Sequence, residues 1–252
     1  MIKTKILILD FDGLLVDSAP ECWLRCIDAC QMDMLLKGVE FADFDKDTFL
    51  RMRYLVGPAH EFYFLMRSLV EYKLDSDIER NFKELMGDDN NNASASQFKK
   101  YFFESRLLAQ NHNIKTWIES NYFFNPALDM ARRFSEDGIL YIATMKDEVS
   151  VLELLKYNNI HCGKSKVLGK KYGDNKYKHI SHVIDQNPLI ARDKFLFMDD
   201  NIRHINETKA LGIETMLVTW GYGTKPSIEY ANKNQIKTLD LVDCNKVVID
   251  EQ

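Results

Sequence analysis

Four carboxylates and one hydroxyl stand shortly after apolar runs of this sequence. They are Asp10 and Asp12 after residues 6–9, Thr144 after residues 139–143, and Asp199 and Asp200 after residues 194–198. Taken singly, each is explained by helix capping or a polar turn, because such side chains satisfy free backbone groups. Brought to one edge of a sheet, the four acids would repel one another strongly unless a cation neutralised them.

A hard divalent ion would resolve this repulsion. Magnesium usually binds through one or two carboxylates and keeps waters and phosphate oxygens as its other ligands, so the pattern implies both metal and phosphate. A carboxylate can also attack phosphorus directly and form an aspartyl phosphate, which splits phosphoryl transfer into two steps. The residues therefore predict Mg²⁺-dependent chemistry on a phosphorylated substrate.

The apolar runs are typical of strands buried on both faces of a parallel sheet. A further run, residues 215–219, follows Gly212. Segments of helical periodicity alternate with these runs, at residues 127–135, 149–157, 179–185 and 202–211. The alternation predicts an α/β fold with a doubly wound parallel sheet, whose functional groups collect beyond the carboxyl ends of the strands.

The segment between the first two runs breaks this alternation, since it shows helical patterns and no convincing buried strand. We therefore predict an α/β core domain of residues 1–18 and 125–252, with a smaller, all-helical domain inserted at residues 19–124. Within the insertion, Cys22, Cys26 and Cys30 recur every fourth residue. This spacing places them along one helix face, where we expect packed thiols and no metal site or disulfide.

Composition limits the classes of partner. The 252 residues are 46% hydrophobic, enough for a sizeable core, and carry a formal net charge of −5. Such a charge provides no basic field for nucleic acids or acidic membranes. Nowhere does an uncharged apolar stretch approach the roughly 20 residues that span a bilayer. We expect a cytoplasmic protein that acts on a small phosphorylated metabolite, with no nucleic-acid or membrane partner.

Three segments resemble motifs of the haloacid dehalogenase (HAD) superfamily. Residues 10–18, Asp-Phe-Asp-Gly-Leu-Leu-Val-Asp-Ser, resemble its first motif, and residues 142–146, Ile-Ala-Thr-Met-Lys, resemble its second. Residues 197–200, Phe-Met-Asp-Asp, together with residues 210–212, Ala-Leu-Gly, resemble its fourth. The resemblance implies a HAD-like Rossmannoid core with a C1-type helical cap, similar to the branch of β-phosphoglucomutase and phosphoglycolate phosphatase.

The resemblance also implies roles for individual residues. Asp10 would be the nucleophile, and Asp12 would be the general acid that protonates the leaving alcohol and then activates water. Positioned proton transfer of this kind typically contributes about 10²–10⁴-fold to the rate. Thr144 and Met145 would bind the phosphoryl group.

The implied Mg²⁺ ligands are Asp10, the backbone carbonyl of Asp12 and Asp200. The fourth motif of the family often carries a second acid four residues later, and this sequence has His204 at that place. Asp199 is therefore expected to take over part of the second acid's duty and to bind the ion through water.

The lysine of the third motif is less clearly marked, because no Lys-Pro pair occurs between the second and fourth motifs. Several lysines fall within residues 169–178, ahead of a helical pattern that begins near residue 179. Lys176 is our first choice for binding phosphate and acting in catalysis, since it immediately precedes the helix. Lys178 is the alternative, and the remaining lysines are expected to be solvated.

One more segment is left with two interpretations. Residues 220–223, Trp-Gly-Tyr-Gly, follow the fourth apolar run and form a flexible, aromatic turn. The turn either borders the site or packs as an ordinary loop.

The leading functional hypothesis is a phosphatase that hydrolyses a small phosphomonoester through an aspartyl phosphate on Asp10. A phosphosugar mutase of the β-phosphoglucomutase kind needs the same acids and metal, and is the nearest alternative. A catalytically weak phosphate-binding or regulatory protein could also keep this fold. Carbon–halogen and phosphonate cleavage are disfavoured, because those branches lack the second aspartate that stands here as Asp12.

Overall fold

A computed structural model of the protein describes residues 1–250, and describes residue 43 by its backbone alone. The chain divides into two compact units. The first, the α/β unit, consists of Met1–Asp17 and the segment from Phe123 onward, and the second, the helical unit, is Ser18–Tyr122. These bounds lie within two residues of the domains predicted at 1–18 with 125–252 and at 19–124.

The strands of the described chain are short and mostly apolar. They are β1 (Ile2–Thr4), β2 (Ile6–Leu9), β3 (Val16–Asp17), β4 (Tyr122–Phe123), β5 (Leu140–Ala143), β6 (Val167–Leu168), β7 (Phe195–Asp199), β8 (Glu214–Val218), β9 (Lys237–Leu239) and β10 (Val247–Ile249). Six of them form one parallel sheet in the order β6, β5, β2, β7, β8, β9. The predicted α/β class with a doubly wound parallel sheet is confirmed.

The helices of the α/β unit follow the strands along the chain. They are α7 (Asn125–Glu136), α8 (Glu148–Tyr157), α9 (Lys176–Gln186), α10 (Ile202–Thr208) and α11 (Lys225–Lys233), numbered after the six helices of the helical unit. Ile6 and Ile8 of β2 pack on one face of the sheet in a cluster that includes Ile180, Ile205 and Ala231. Apolar side chains of α9, α10 and α11 thus cover that face.

The register of the central strands decides which loops meet. Leu9, the last residue of β2, pairs with Ile142 of β5 on one side and with Met198 of β7 on the other. The three strands therefore end at the same level of the sheet. Their following residues come together at one edge, which positions the candidate site.

The helical unit has its own core. Its helices are α1 (Ala19–Met32), α2 (Asp43–Met52), α3 (Phe62–Glu71), α4 (Asp75–Gly87), α5 (Asn92–His112) and α6 (Ile114–Glu119). Aromatic rings connect four of them, with centroid distances of 5.2 Å for Trp23 and Phe49, 5.7 Å for Phe49 and Phe62, and 5.1 Å for Phe62 and Phe102. The three cysteines of α1 are buried in the same core, as their spacing predicted.

Within residues 1–250, no helix has the length and apolar character needed to cross a membrane.

Candidate active site

Asp10 lies at the centre of the edge where β2, β5 and β7 end. Its carboxylate is buried, and its Oδ1 accepts a hydrogen bond of 2.6 Å from Lys176 Nζ and one of 2.7 Å from the backbone N–H of Phe11. Lys176 Nζ also donates to the backbone carbonyl of Ala143 at the end of β5. One carboxylate oxygen of Asp10 is therefore fixed by two donors.

Lys176 reaches this position because α9 begins at it. The side chain of Asn175 caps the helix by accepting a hydrogen bond from the backbone N–H of Lys178 at 2.9 Å. Lys176 is almost completely buried, whereas Lys178 is exposed and forms an ion pair with Asp174. Of the two lysines considered from the sequence, the structure brings Lys176 to Asp10 and leaves Lys178 at the surface.

Asp199, the last residue of β7, adds a second buried carboxylate beside Asp10. Its Oδ2 lies 3.4 Å from Lys176 Nζ and 2.9 Å from His204 Nδ1, and its Oδ1 accepts a hydrogen bond from the backbone N–H of Asn201. The sequence placed His204 where a second acid is often found. Its ring instead contacts Asp199 as a hydrogen-bonding and potentially cationic partner.

The pKa values of Asp10 and Asp199 are shifted in opposite directions. Burial, followed by the charge of Asp199, raises the pKa of Asp10 to about 6 against the opposing effect of Lys176. Burial also opposes ionisation of Asp199, but His204 and Lys176 together hold the pKa of Asp199 below its usual value. The pKa values of Lys176 and His204 are raised, because their acidic neighbours outweigh the effect of burial. Of these two acids, Asp10 is thus the one whose negative charge is more costly to maintain.

Asp200 is held between two glycine backbones. Its Oδ2 accepts a 2.6 Å hydrogen bond from the backbone N–H of Tyr222. A Cβ added at Gly13, which has a φ of +83°, would lie 2.7 Å from the Asp200 Cγ, and one added at Gly221 would lie 2.5 Å from Oδ2. The carboxylate therefore lies against the turn that follows Asp12.

Asp12 and Thr144 lie beside a second buried lysine. Lys146 Nζ is 3.2 Å from Asp12 Oδ1, and the Lys146 side chain is 3% exposed. The backbone N–H of Lys146 donates a 3.0 Å hydrogen bond to Thr144 Oγ1, which leaves the hydroxyl proton of this buried threonine available for donation to another acceptor. Met145, between them, is half-buried.

The donor set fits a divalent cation. The four acids at this edge outnumber the three bases beside them, Lys146, Lys176 and His204, and a divalent ion would compensate the remaining negative charge. Within residues 1–250, one group of acidic and histidine side chains has ligand atoms all within 4.8 Å of one another: Asp10, Asp199 and His204. Lys176 Nζ lies between Asp10 and Asp199 of this group, at 2.6 Å and 3.4 Å from their carboxylate oxygens.

Three features of this edge had no assigned role in the sequence. Lys146 stands two positions after Thr144, and that proximity was its only signal. His204 was placed by counting from the fourth motif, but its contact with Asp199 depends on the turn between β7 and α10. Gly221 and Tyr222 are separated from Asp200 by about 20 residues, and no local pattern connects them.

No family model matches the sequence, and neither does any curated protein. A haloacid dehalogenase-like hydrolase from Streptococcus pneumoniae matches with a TM-score of 0.62 and 16% identity, over 98% of this chain and 99% of that one.

Two further solved structures match over nearly their whole length. One, from Clostridium acetobutylicum, is described as a predicted phosphatase, and has a TM-score of 0.62 at 15% identity over 97% of this chain and 98% of that one. The other, from Haemophilus somnus, is described as a predicted phosphoglycolate phosphatase, and has a TM-score of 0.59 at 17% identity over 98% of each chain. With the sheet order and the residues at its edge, these similarities confirm that the chain has the fold of the haloacid dehalogenase-like hydrolases.

Proposed function

We propose that the protein is a Mg²⁺-dependent phosphatase that transfers the phosphoryl group of a small phosphorylated metabolite to Asp10 and then hydrolyses the aspartyl phosphate. The observation that carries the proposal is the buried Asp10 carboxylate, held at 2.6 Å by Lys176 at the edge that Asp12, Thr144 and Asp200 share. The descriptions of the similar solved structures as hydrolases and phosphatases support the same chemistry.

Asp10 is suited to attack phosphorus. Burial raises its pKa to about 6, so the carboxylate is ionised at pH 7 but poorly solvated. Its two donors, Lys176 and the N–H of Phe11, fix the orientation of the carboxylate before the substrate arrives. Attack forms an Asp10 O–P bond as the P–O bond to the substrate alcohol breaks.

Asp12 then moves the protons. It donates a proton to the leaving alcohol in the first step, and accepts one from the water that attacks the aspartyl phosphate in the second step. The second step releases inorganic phosphate and restores the Asp10 carboxylate. Thr144 donates its hydroxyl proton to a phosphoryl oxygen, and Lys176 offsets the negative charge of the transferring group.

A bound Mg²⁺ would neutralise charge on the phosphoryl oxygens and orient the group for in-line attack. We assign its ligands to Asp10, the backbone carbonyl of Asp12 and Asp200, with Asp199 acting through water. All are oxygen donors, which is the ligand type that Mg²⁺ prefers.

Assays of phosphate release from a panel of phosphorylated metabolites, with Mg²⁺ and with a chelator, test the proposal. We expect Mg²⁺-dependent release by the wild-type protein and a loss of roughly 10⁴-fold or more in Asp10→Asn. Asp174→Asn, which changes an exposed acid of the same unit, is the matched control and should keep full activity. Acid quenching of the wild type during turnover of a ³²P-labelled substrate should trap label on Asp10.

The same assays separate the alternatives. Isomerisation of a sugar phosphate without phosphate release would favour a mutase. Phosphate binding without turnover of any substrate would favour a regulatory protein. Full activity of Asp10→Asn would exclude the nucleophile that the proposal requires.

A further inference from the structure

The loop formed by Trp220, Gly221, Tyr222 and Gly223 connects Asp200 to the segment that follows Asp12. The indole Nε1 of Trp220 donates a 2.9 Å hydrogen bond to the carbonyl of Leu14, and the hydroxyl of Tyr222 donates one of 2.9 Å to Asp17 Oδ1. The backbone N–H of Tyr222 donates its 2.6 Å hydrogen bond to Asp200 Oδ2. Of the two interpretations that the sequence allowed, the structure supports a loop that borders the site.

Gly221 allows this close approach. A Cβ added there would overlap the carbonyl oxygen of Gly13 and would lie 2.5 Å from Asp200 Oδ2 and 2.6 Å from Asp200 Cβ. Such separations do not occur between non-bonded atoms, so either the loop or the Asp200 side chain would have to move. The backbone of Gly221 is outside the left-handed region, unlike that of Gly13. Absence of a side chain, rather than an unusual φ, is therefore what the loop requires of Gly221.

We infer that residues 220–223 are a positioning element that holds the Asp200 carboxylate in the orientation in which it binds the metal. The inference rests on the proposed function, because it assigns Asp200 as a ligand. An N–H donor to a carboxylate forms a charge-assisted hydrogen bond, and partners of this kind set the orientation of metal ligands. The ties of Trp220 to Leu14 and of Tyr222 to Asp17 fix the loop that carries the donor.

Metal affinity measured on the whole protein tests this inference without relying on activity. Mn²⁺ binding is followed by electron paramagnetic resonance of the free ion, and Mg²⁺ binding by its competition with Mn²⁺. We expect Gly221→Ala to bind both ions at least tenfold more weakly than the wild type, since loss of such an outer partner typically costs 10–100-fold in metal affinity. Gly163→Ala is the matched control, because its nearest contact would be 4.0 Å away.

A second readout separates positioning from general damage. At saturating Mg²⁺, kcat of Gly221→Ala should return to within about threefold of the wild type, whereas the Mg²⁺ concentration for half-activation should stay tenfold higher. Tyr222→Phe keeps the N–H and loses only the bond to Asp17, so it should bind Mn²⁺ severalfold more weakly than the wild type but more tightly than Gly221→Ala. An equal loss in Tyr222→Phe would overturn the assignment of the effect to the N–H of Tyr222.

If Gly221→Ala fails to fold in the presence of chelator, Trp220→Phe decides the question, since it removes the bond to Leu14 and keeps an aromatic ring. Severalfold weaker Mn²⁺ binding is expected, and unchanged binding would overturn the inference. If the wild type binds neither Mn²⁺ nor Mg²⁺, the proposed metal site is wrong, and this inference is wrong with it. If Gly221→Ala binds both ions as tightly as the wild type, the inference is wrong and the proposed function still stands.

Discussion

Each unit of the molecule buries an ion pair, and the two pairs differ in how their charges are balanced. In the helical unit, Glu21 is completely buried and accepts hydrogen bonds of 3.0 Å and 2.6 Å from Arg106 and one of 2.9 Å from Trp117 Nε1. The Arg106 guanidinium also lies 4.7 Å from the ring centroid of Phe102. One acid there meets a planar, bidentate base and an aromatic donor.

The edge of the α/β unit differs because its three buried acids outnumber its two buried lysines, Lys146 and Lys176. Asp10 and Asp199 share Lys176, and Asp200 adds a further buried carboxylate at the same edge. A buried pair with matched charges costs desolvation energy and mainly fixes structure. A buried cluster with excess acid is stable only if it takes up a proton or a cation. The comparison teaches that charge balance, more than burial, distinguishes a structural pair from a candidate active site.

Lys176→Met is expected to have the largest effect of the variants that test this difference in charge balance between the units. It leaves Asp10 and Asp199 buried without their shared ammonium, so we expect kcat to fall by about 10³-fold or more. Added Mg²⁺ should restore part of the lost thermal stability, because the ion supplies positive charge to the same acids. Phosphate release and thermal melting with and without Mg²⁺ measure both effects.

Lys178→Met is the matched control for Lys176. It changes an exposed lysine two residues away, whose ion pair with Asp174 lies at the surface. Exposed ion pairs contribute little to stability, so both the activity and the melting temperature should stay close to those of the wild type. A larger loss in Lys178→Met than in Lys176→Met would reverse our assignment of the lysine.

Arg106→Met tests the balanced pair in the helical unit. Removal of the guanidinium takes the bidentate partner from the buried Glu21 carboxylate, which should destabilise the protein by about 3–5 kcal/mol. Mg²⁺ should give no stability in return, since a single carboxylate with Arg25 4.0 Å away offers no set of acidic ligands for the ion. Urea unfolding with and without Mg²⁺ checks this expectation.

The double variant Glu21→Leu with Arg106→Met serves as its control. Replacing both partners with apolar groups removes the buried charge, so stability should recover most of what the single variant loses. Recovery of Arg106→Met by Mg²⁺ would show that the helical unit also binds cations, and the contrast between the units would not hold.

The sequence predicted the acids of the α/β unit well, because their position follows from strand ends. Asp10, Thr144 and Asp199 follow apolar runs whose parallel pairing leaves little freedom about where they meet. The choice of Lys176 also followed from a local feature, the start of a helix. These positions depend on the sheet register and on helix boundaries, both of which leave patterns in a sequence.

Contacts between segments that are distant in the sequence leave no such pattern and were not predicted. The N–H of Tyr222 reaches Asp200 through the backbone, and a backbone donor carries no residue signature. Arg106 and Glu21 lie 85 positions apart on two helices, and each looks like an exposed residue in its own segment. The short strands β6 and β9 and the pair of β1 with β10 were missed too, since two or three residues are too few to show a period.

Lys146→Met is the finest test of the contrast, because it removes the other buried base of the acid-rich edge. Loss of the 3.2 Å contact removes a charged donor from the Asp12 carboxylate, and we expect kcat to fall about tenfold, the effect of one charge-assisted hydrogen bond. KM should change by less than about twofold if Lys146 acts through Asp12 rather than on the substrate. Lys171→Met, an exposed lysine paired with Glu148, should leave both constants unchanged. An unchanged kcat in Lys146→Met would mean that Lys176 alone balances the acids that take part in turnover.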